Sequence, residues 1–351
     1  MKAEESTTDA ASIAAFWLEF SSSEAALKSL PLRERMERGN ELLERYLKDL
    51  ALEFSGSDDD PVVELIVTAH GRIDRFQVLN DLVAAAPSLK HHAVRAFRER
   101  TAHPDFPMRM DGFELSTSEV LITCGQDNGQ AALEIRFDRE IPQDYRDHAR
   151  NMAFIMIDHV LGEYDFAVKV GAVDFVEESI DPAAKWTPLS GLQPVFDRYW
   201  SETLGRTGAF PTGERQWSVM TVTFGESDEG EDGELADVAT VTVNQSASAV
   251  AMRADLAYAF TLDLAVADRN ELDAVRVLHD QAATLLELPQ HGILAYTMVR
   301  DGRRKAVYYV GSEERAKQAL APLLLRIEDT SLEVTVSFDP TWSDYFEFAS
   351  D

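Results

Sequence analysis

Between Tyr258 and Phe338 the apolar residues switch between a repeat of two and a repeat of about 3.6, the periods of strand and helix. The runs YAFTLDLAV, ILAYTMVR, KAVYYVG and LEVTVSF alternate and read as strands. RNELDAVRVLHDQAATLLE and EERAKQALAPLLLRIE space their apolar residues three and four apart and read as helices. The resulting order, β-α-β-β-α-β, is ferredoxin-like. Asp301-Gly302, between the second and third of these strands, is a strong hairpin signal because both positions tolerate positive φ. Upstream, WSVMTVTFG and VATVTVNQS predict a further hairpin across the acidic loop ESDEGEDGELAD, so this domain is expected over residues 214–351.

The rest of the chain predicts an α+β fold with a second α/β sandwich domain and N-terminal helices. Residues 1–56 read as a helical segment, with Met36, Leu43, Tyr46, Leu47, Leu50 and Phe54 on one stripe and SGSDDDP as its end. Residues 57–180 read as the first α+β domain. It would contain the strand VVELIVTAHG, the helix RIDRFQVLNDLVAAAP and the strand HAVRAFRE. EVLITCG and QAALEIRFD follow as strands on either side of Gln126-Asp127-Asn128-Gly129. A helix from Pro142 to Leu161 stops at Gly162, and a strand pair is expected in YDFAVKVGAVDFVEE. Residues 181–213, with Pro182, Pro188, Pro194 and Pro211, read as a linker carrying a short helix.

Charge narrows the function classes. The 351 residues hold 62 acids against 33 Lys and Arg, for a formal net charge of −29. From Glu214 onward there are 25 acids and 11 bases, so the excess is spread along the chain and not held in a tail. Such a field opposes nucleic acids and anionic membranes. No apolar run reaches the roughly 18 to 20 residues of a membrane span, and acids stand directly behind Lys2, unlike a secretory signal. One cysteine, Cys124, excludes an intramolecular disulfide and reads as a small buried hydrophobe. These features predict a soluble, bacterial, cytoplasmic protein.

Catalytic motifs are missing. G-x-S-x-G, G-x-x-x-x-G-K-[ST] and G-x-G-x-x-G do not occur, and the eight histidines form no H-E-x-x-H or dense His/Cys group. The acidic loop resembles a calcium loop but has Ala239 where a bidentate Glu is required. Asp158-His159 lies near a helix end, where neighbours diverge by about 100°, so His159 reads as a favourable charge placement. No catalytic, cofactor-binding or metal-binding residue is therefore assigned. The candidate surface for a partner is the basic stretch Arg300, Arg303, Arg304 and Lys305 at the hairpin tip, with the aromatics Trp217, Trp342 and Tyr345. Packing is the alternative role for the aromatics.

GILAYTMVRDGRRKAVYYVGSEERAKQAL followed by LEVTVSFDPTWSDYFEF resembles the bacterial domain of unknown function 695, over roughly Arg215 to Phe348. VTAHGRIDRFQVLNDLVAAAP and FIMIDHVLGEYDFAVKVGAVDF are similar to segments found beside such domains. The family carries no activity to transfer. In element order and acidity the C-terminal half is also similar to the ribonuclease E activity regulator B family, which works by binding an enzyme. The resemblance and the acidity imply a non-catalytic, protein-binding or regulatory module with an unidentified protein partner, a basic one being what the acidity favours. The alternative is a hydrolase or small-molecule-binding enzyme with a site in an inter-domain crevice.

Overall fold

The computed structural model describes residues 2–57, 59–177, 179, 181, 183–224, 237–325 and 331–349, with side chains from residue 9 onward. The acidic loop, apart from Asp237, lies outside the described residues. The chain divides into two compact units, 1–125 with 130–196, and 126–129 with 197–351. Each is a mixture of helices and sheets.

The first unit opens with helices α1 (Lys2–Lys28) and α2 (Leu32–Glu44). Phe16, Trp17 and Phe20 are buried along α1, and the Trp17 indole donates to the Leu82 carbonyl at 2.8 Å. Arg35 of α2 is almost fully buried and donates to the Leu27, Lys28 and Leu30 carbonyls, satisfying acceptors that a helix end leaves open. The helical stripe expected to run on to Phe54 stops at Glu44, and β1 (Ala51–Ser55) follows. In ALEFS the alternation of Leu52 and Phe54 inward fits a strand as well as a helix, and pairing with β2 (Val63–Thr68) decides for the strand. Helix α3 (Phe76–Ala84) then leads to β3 (His92–Ala96), which lies parallel to β2 in a sheet of order β1-β2-β3.

A small hairpin, β4 (Pro107–Met110) with β5 (Phe113–Ser116), precedes β6 (Val120–Asp127) and β7 (Gln130–Phe137). Helices α4 (Arg146–Leu161) and α5 (Glu163–Lys169) connect β7 to the parallel strand β8 (Val170–Phe175). With the short β9 (Thr187–Pro188) these form a sheet of order β8-β7-β6-β9. The first strand expected in YDFAVKVGAVDFVEE is instead α5, a helix of about two turns that buries Glu163 and Val168. Helix α6 (Leu192–Arg198) lies in the stretch expected as a linker, and the boundary between the units falls inside it.

The second unit carries β10 (Trp217–Phe224), β11 (Asp237–Asn244), β12 (Tyr258–Ala265), α7 (Arg269–Glu287), β13 (Gly292–Arg300), β14 (Arg303–Val310), α8 (Glu313–Leu324), β15 (Glu333–Phe338) and α9 (Ser343–Phe346). Its sheet is antiparallel in the order β10-β11-β13-β14-β12-β15. From β12 to β15 the elements therefore run β-α-β-β-α-β as the periodicity predicts. Phe260, Leu262, Leu294, Tyr308 and Val310 meet Ala282, Leu286, Ala316 and Leu320 in one apolar core. Asp268 and Ser312 cap α7 and α8 through their side-chain oxygens.

Candidate functional site

The residues expected to form a partner surface are mostly occupied or buried. The turn after β13 is Asp301-Gly302 alone, both with positive φ (49° and 65°), so the three following bases belong to β14 and not to a tip. Arg304 points inward, is 8% exposed and donates to Nδ1 of His279 on α7. Arg303 pairs with Asp263 at 3.1 Å and Glu333 at 3.3 Å. Arg300 pairs with Asp237 and lies 4.2 Å from the Phe224 ring centre, and Lys305 lies 5.5 Å from that of Tyr296. Local acids and rings thus engage the charge that the sequence gathers in one run.

Trp342 and Tyr345 are fully buried, and only Trp217, 45% exposed, remains at the surface among the three aromatics. Their burial follows from one knot. Asp339 accepts from the Tyr309 hydroxyl at 2.5 Å, from Thr341 Oγ1 at 3.1 Å, and from the Ser343 and Asp344 amides at 2.9 and 3.1 Å. Trp342, held at φ 57°, stacks on Tyr309 at 3.8 Å and donates to the Leu256 carbonyl at 2.9 Å. The DPTWSDY signature is therefore architectural, since each polar atom it buries has a partner.

A different place in the first unit concentrates polar chemistry. A cavity of about 670 Å³ opens where β2 and β3 end, lined by His70, Arg98, Asp158 and His159 over a floor that includes Phe154 and Phe166. Loops beyond the carboxyl ends of parallel strands are where open α/β sheets bind ligands. Both loops adopt rare backbone shapes: His70 has φ 51°, Gly71 76° and Phe97 63°. Positive φ is uncommon for a bulky side chain, and such conformations persist only when their surroundings enforce them.

Glu163 supplies the enforcement. Fully buried at the start of α5, it accepts from the Ala69 and Gly71 amides at 2.8 and 3.1 Å and from the Arg98 amide at 3.2 Å. Gly162 before it has φ 80°, and a Cβ there would stand 3.0 Å from the Arg100 nitrogen and 3.2 Å from the Arg98 carbonyl oxygen. Tyr164 packs its ring against Phe97 at 5.4 Å, and Asp165 pairs with Arg100 at 2.6 Å. Each residue of the GEYD signature thus ties α5 to the loop after β3 or to its neighbour after β2.

Arg98 sits between two carboxylates, Glu53 of β1 and Asp158 of α4, with its Nε 3.1 Å from Glu53. Burial works against its charge, but the bond to Glu53 holds its pKa above the usual value. Burial and the nearby Arg98 charge push His159 below the ordinary histidine range. This corrects the expectation of a favourably charged His159 at a negative helix end. The cavity wall therefore presents a neutral imidazole beside a fixed guanidinium-carboxylate cluster, a set able to orient a ligand through hydrogen bonds.

No family model, curated protein or solved structure matches the sequence. Among the described residues no group of His, Cys, Asp and Glu is placed to hold a metal ion, and no helix is long and apolar enough to cross a membrane. Cys124 is half-buried, and its partial burial pushes its thiol up to about 11. His70 and Arg98 carry no motif and are missed in the sequence. The signal that could have found them is positional: each lies two residues past one of the two parallel strands of a β-α-β unit.

Proposed function

We propose that the first unit is a non-catalytic small-molecule-binding module, with its ligand in the cavity at the carboxyl ends of β2 and β3. The observation that carries this reading is the convergence of His70 and Arg98, from two loops held in strained conformations, with Asp158 and His159 of α4 on one 670 Å³ space. A metabolite-library thermal-shift screen tests it. A ligand at 100 times its Kd stabilises by about 2.7 kcal/mol and raises Tm visibly. The shift should vanish in Phe154→Arg, which fills the cavity from an exposed position. A flat screen, or a shift untouched by that variant, counts against the site.

Protein binding is a second reading, supported by β10. This edge strand of the second unit has no charged residue from Trp217 to Phe224, and Trp217 and Val219 are 45% and 68% exposed. Uncharged, exposed edges favour pairing with another chain. Val219→Lys would weaken capture of such a partner without lowering Tm. For the second unit itself, the element order supports a ferredoxin-like arrangement preceded by a hairpin, and the resemblance to the domain of unknown function 695 stands on the YYV and DPTWSDY segments.

A further inference from the structure

The cavity at the strand ends is one end of a longer depression. A second space, about 490 Å³, shares Phe154 and Val173 with it. A third, about 470 Å³, shares Arg150 and Phe175 with the second. One wall is a single face of α4, where Arg146, Arg150, Phe154 and Asp158 recur at one-turn spacing. The other wall includes alternate residues of β8, Val173 and Phe175. From residue 146 to 158 the helix advances about 18 Å, which sets the length of the trough.

Its chemistry changes along that length. The middle sets Phe154, Val173 and Phe175 beside Asp147, Arg150 and Asn151, and Phe154 is 38% exposed despite lying on a helix whose other face is buried. The far end holds Arg98, whose charge Glu53 and Asp158 already offset. The near end is lined by Arg136, Arg139, Arg146 and Arg150 against Asp138, Glu140 and Glu177. Arg139 pairs with Glu119 at 3.0 Å, so three guanidiniums remain beside these three carboxylates.

Three of these guanidiniums have donors to spare. Arg136 stacks on Trp186 at 4.3 Å, and neither it nor Arg146 pairs with a carboxylate among the described residues. Arg150 lies 5.5 Å from the Phe175 ring centre, and its contact to Asp147 is a long 3.6 Å between exposed side chains. A stacked guanidinium keeps its edge N–H groups free for a carboxylate or phosphate.

We propose that the trough binds a linear amphiphilic anion, with the anionic head at Arg136, Arg146 and Arg150 and the narrow apolar body along Phe175 and Phe154 toward His70. This rests on the small-molecule reading above and adds the class of ligand and its direction.

The test is calorimetric titration of the full chain with dodecanoate, octanoate, dodecan-1-ol and dodecyltrimethylammonium, each below its micelle concentration. Dodecanoate should bind once per chain, at least tenfold tighter than the alcohol and far tighter than the cation. Each methylene removed toward octanoate should weaken it roughly fourfold, the equivalent of about 0.8 kcal/mol. Arg136→Ala with Arg146→Ala should erase the preference for carboxylate over alcohol, and Tm of the variant checks that it folds. Equal binding of anion and alcohol, or no dependence on chain length, overturns the proposal. If a library compound binds and Phe154→Arg abolishes it while dodecanoate never binds, the small-molecule site stands and the amphiphile fails. If dodecanoate binds the arginine end with Phe154→Arg in place, both the stated direction and the strand-end site fail.

Discussion

Arg304 of β14 donates a guanidinium N–H to Nδ1 of His279 on α7, inside the second unit, with both side chains buried. An arginine needs an acceptor, so the imidazole must keep Nδ1 unprotonated and carry its proton on Nε2. Burial and the Arg304 charge push His279 down to about 3.

The sign of the pH effect follows. The unfolded histidine titrates near 6.5, well above the folded group. As pH falls below about 6.5, the unfolded chain takes up a proton that the folded chain refuses, so stability is lost toward pH 3 and is full above 6.5. His279→Gln keeps an acceptor but does not titrate. Urea unfolding from pH 7.5 to 4.5 should show the wild type losing stability faster than this variant.

Adjacent bases should behave differently. Arg304→Ala removes a buried, hydrogen-bonded side chain and should cost about 2–4 kcal/mol. Lys305→Ala loses a cation-π contact at a half-exposed site and should cost about 0.5–1 kcal/mol. Chemical denaturation of the two single variants decides between this ranking and a basic cluster that is uniformly dispensable.

The periodicity carried the second unit well, because each strand and helix there is long enough for its repeat to be unambiguous. It failed where two periods fit the same letters. ALEFS continues a helical stripe and also alternates, and only its pairing with β2 settles the matter. The basic run misled for another reason. A strand turns Arg303 and Arg304 to opposite faces, so a charge cluster in sequence need not be one in space. The strand-end cavity was invisible because Glu53, His70, Arg98, Asp158 and Glu163 come from distant parts of the first unit, joined by a fold and not by a motif.

Asp339→Ala should undo the C-terminal knot. It leaves the Tyr309 hydroxyl and two backbone amides without their acceptor, at a cost of about 2–4 kcal/mol. Near-ultraviolet circular dichroism should report the loss of the fixed Trp342-Tyr309 stack in the folded variant.

Cys124 should resist alkylation. With its thiol raised to about 11, little thiolate forms at pH 8, and iodoacetamide labelling should be far slower in the folded chain than in urea. Equal rates in both states would mean that the folded chain neither shields the thiol nor raises its pKa.

Glu163→Gln should cost about 1–3 kcal/mol, because an amide offers one acceptor oxygen where the carboxylate offers two. Hydrogen exchange at Ala69, Gly71 and Arg98 should accelerate together, whereas amides of β12 in the second unit should not change.

That common acceleration expresses a mechanical property of the first unit. Three amides from two loops share one carboxylate, so neither loop can shift without loosening its neighbour's anchor. The turn at His70 and the turn at Phe97 work as the two arms of a single lever with Glu163 at its pivot. A molecule that presses on one arm meets the stiffness of both, and the cavity between them holds its shape before anything enters it.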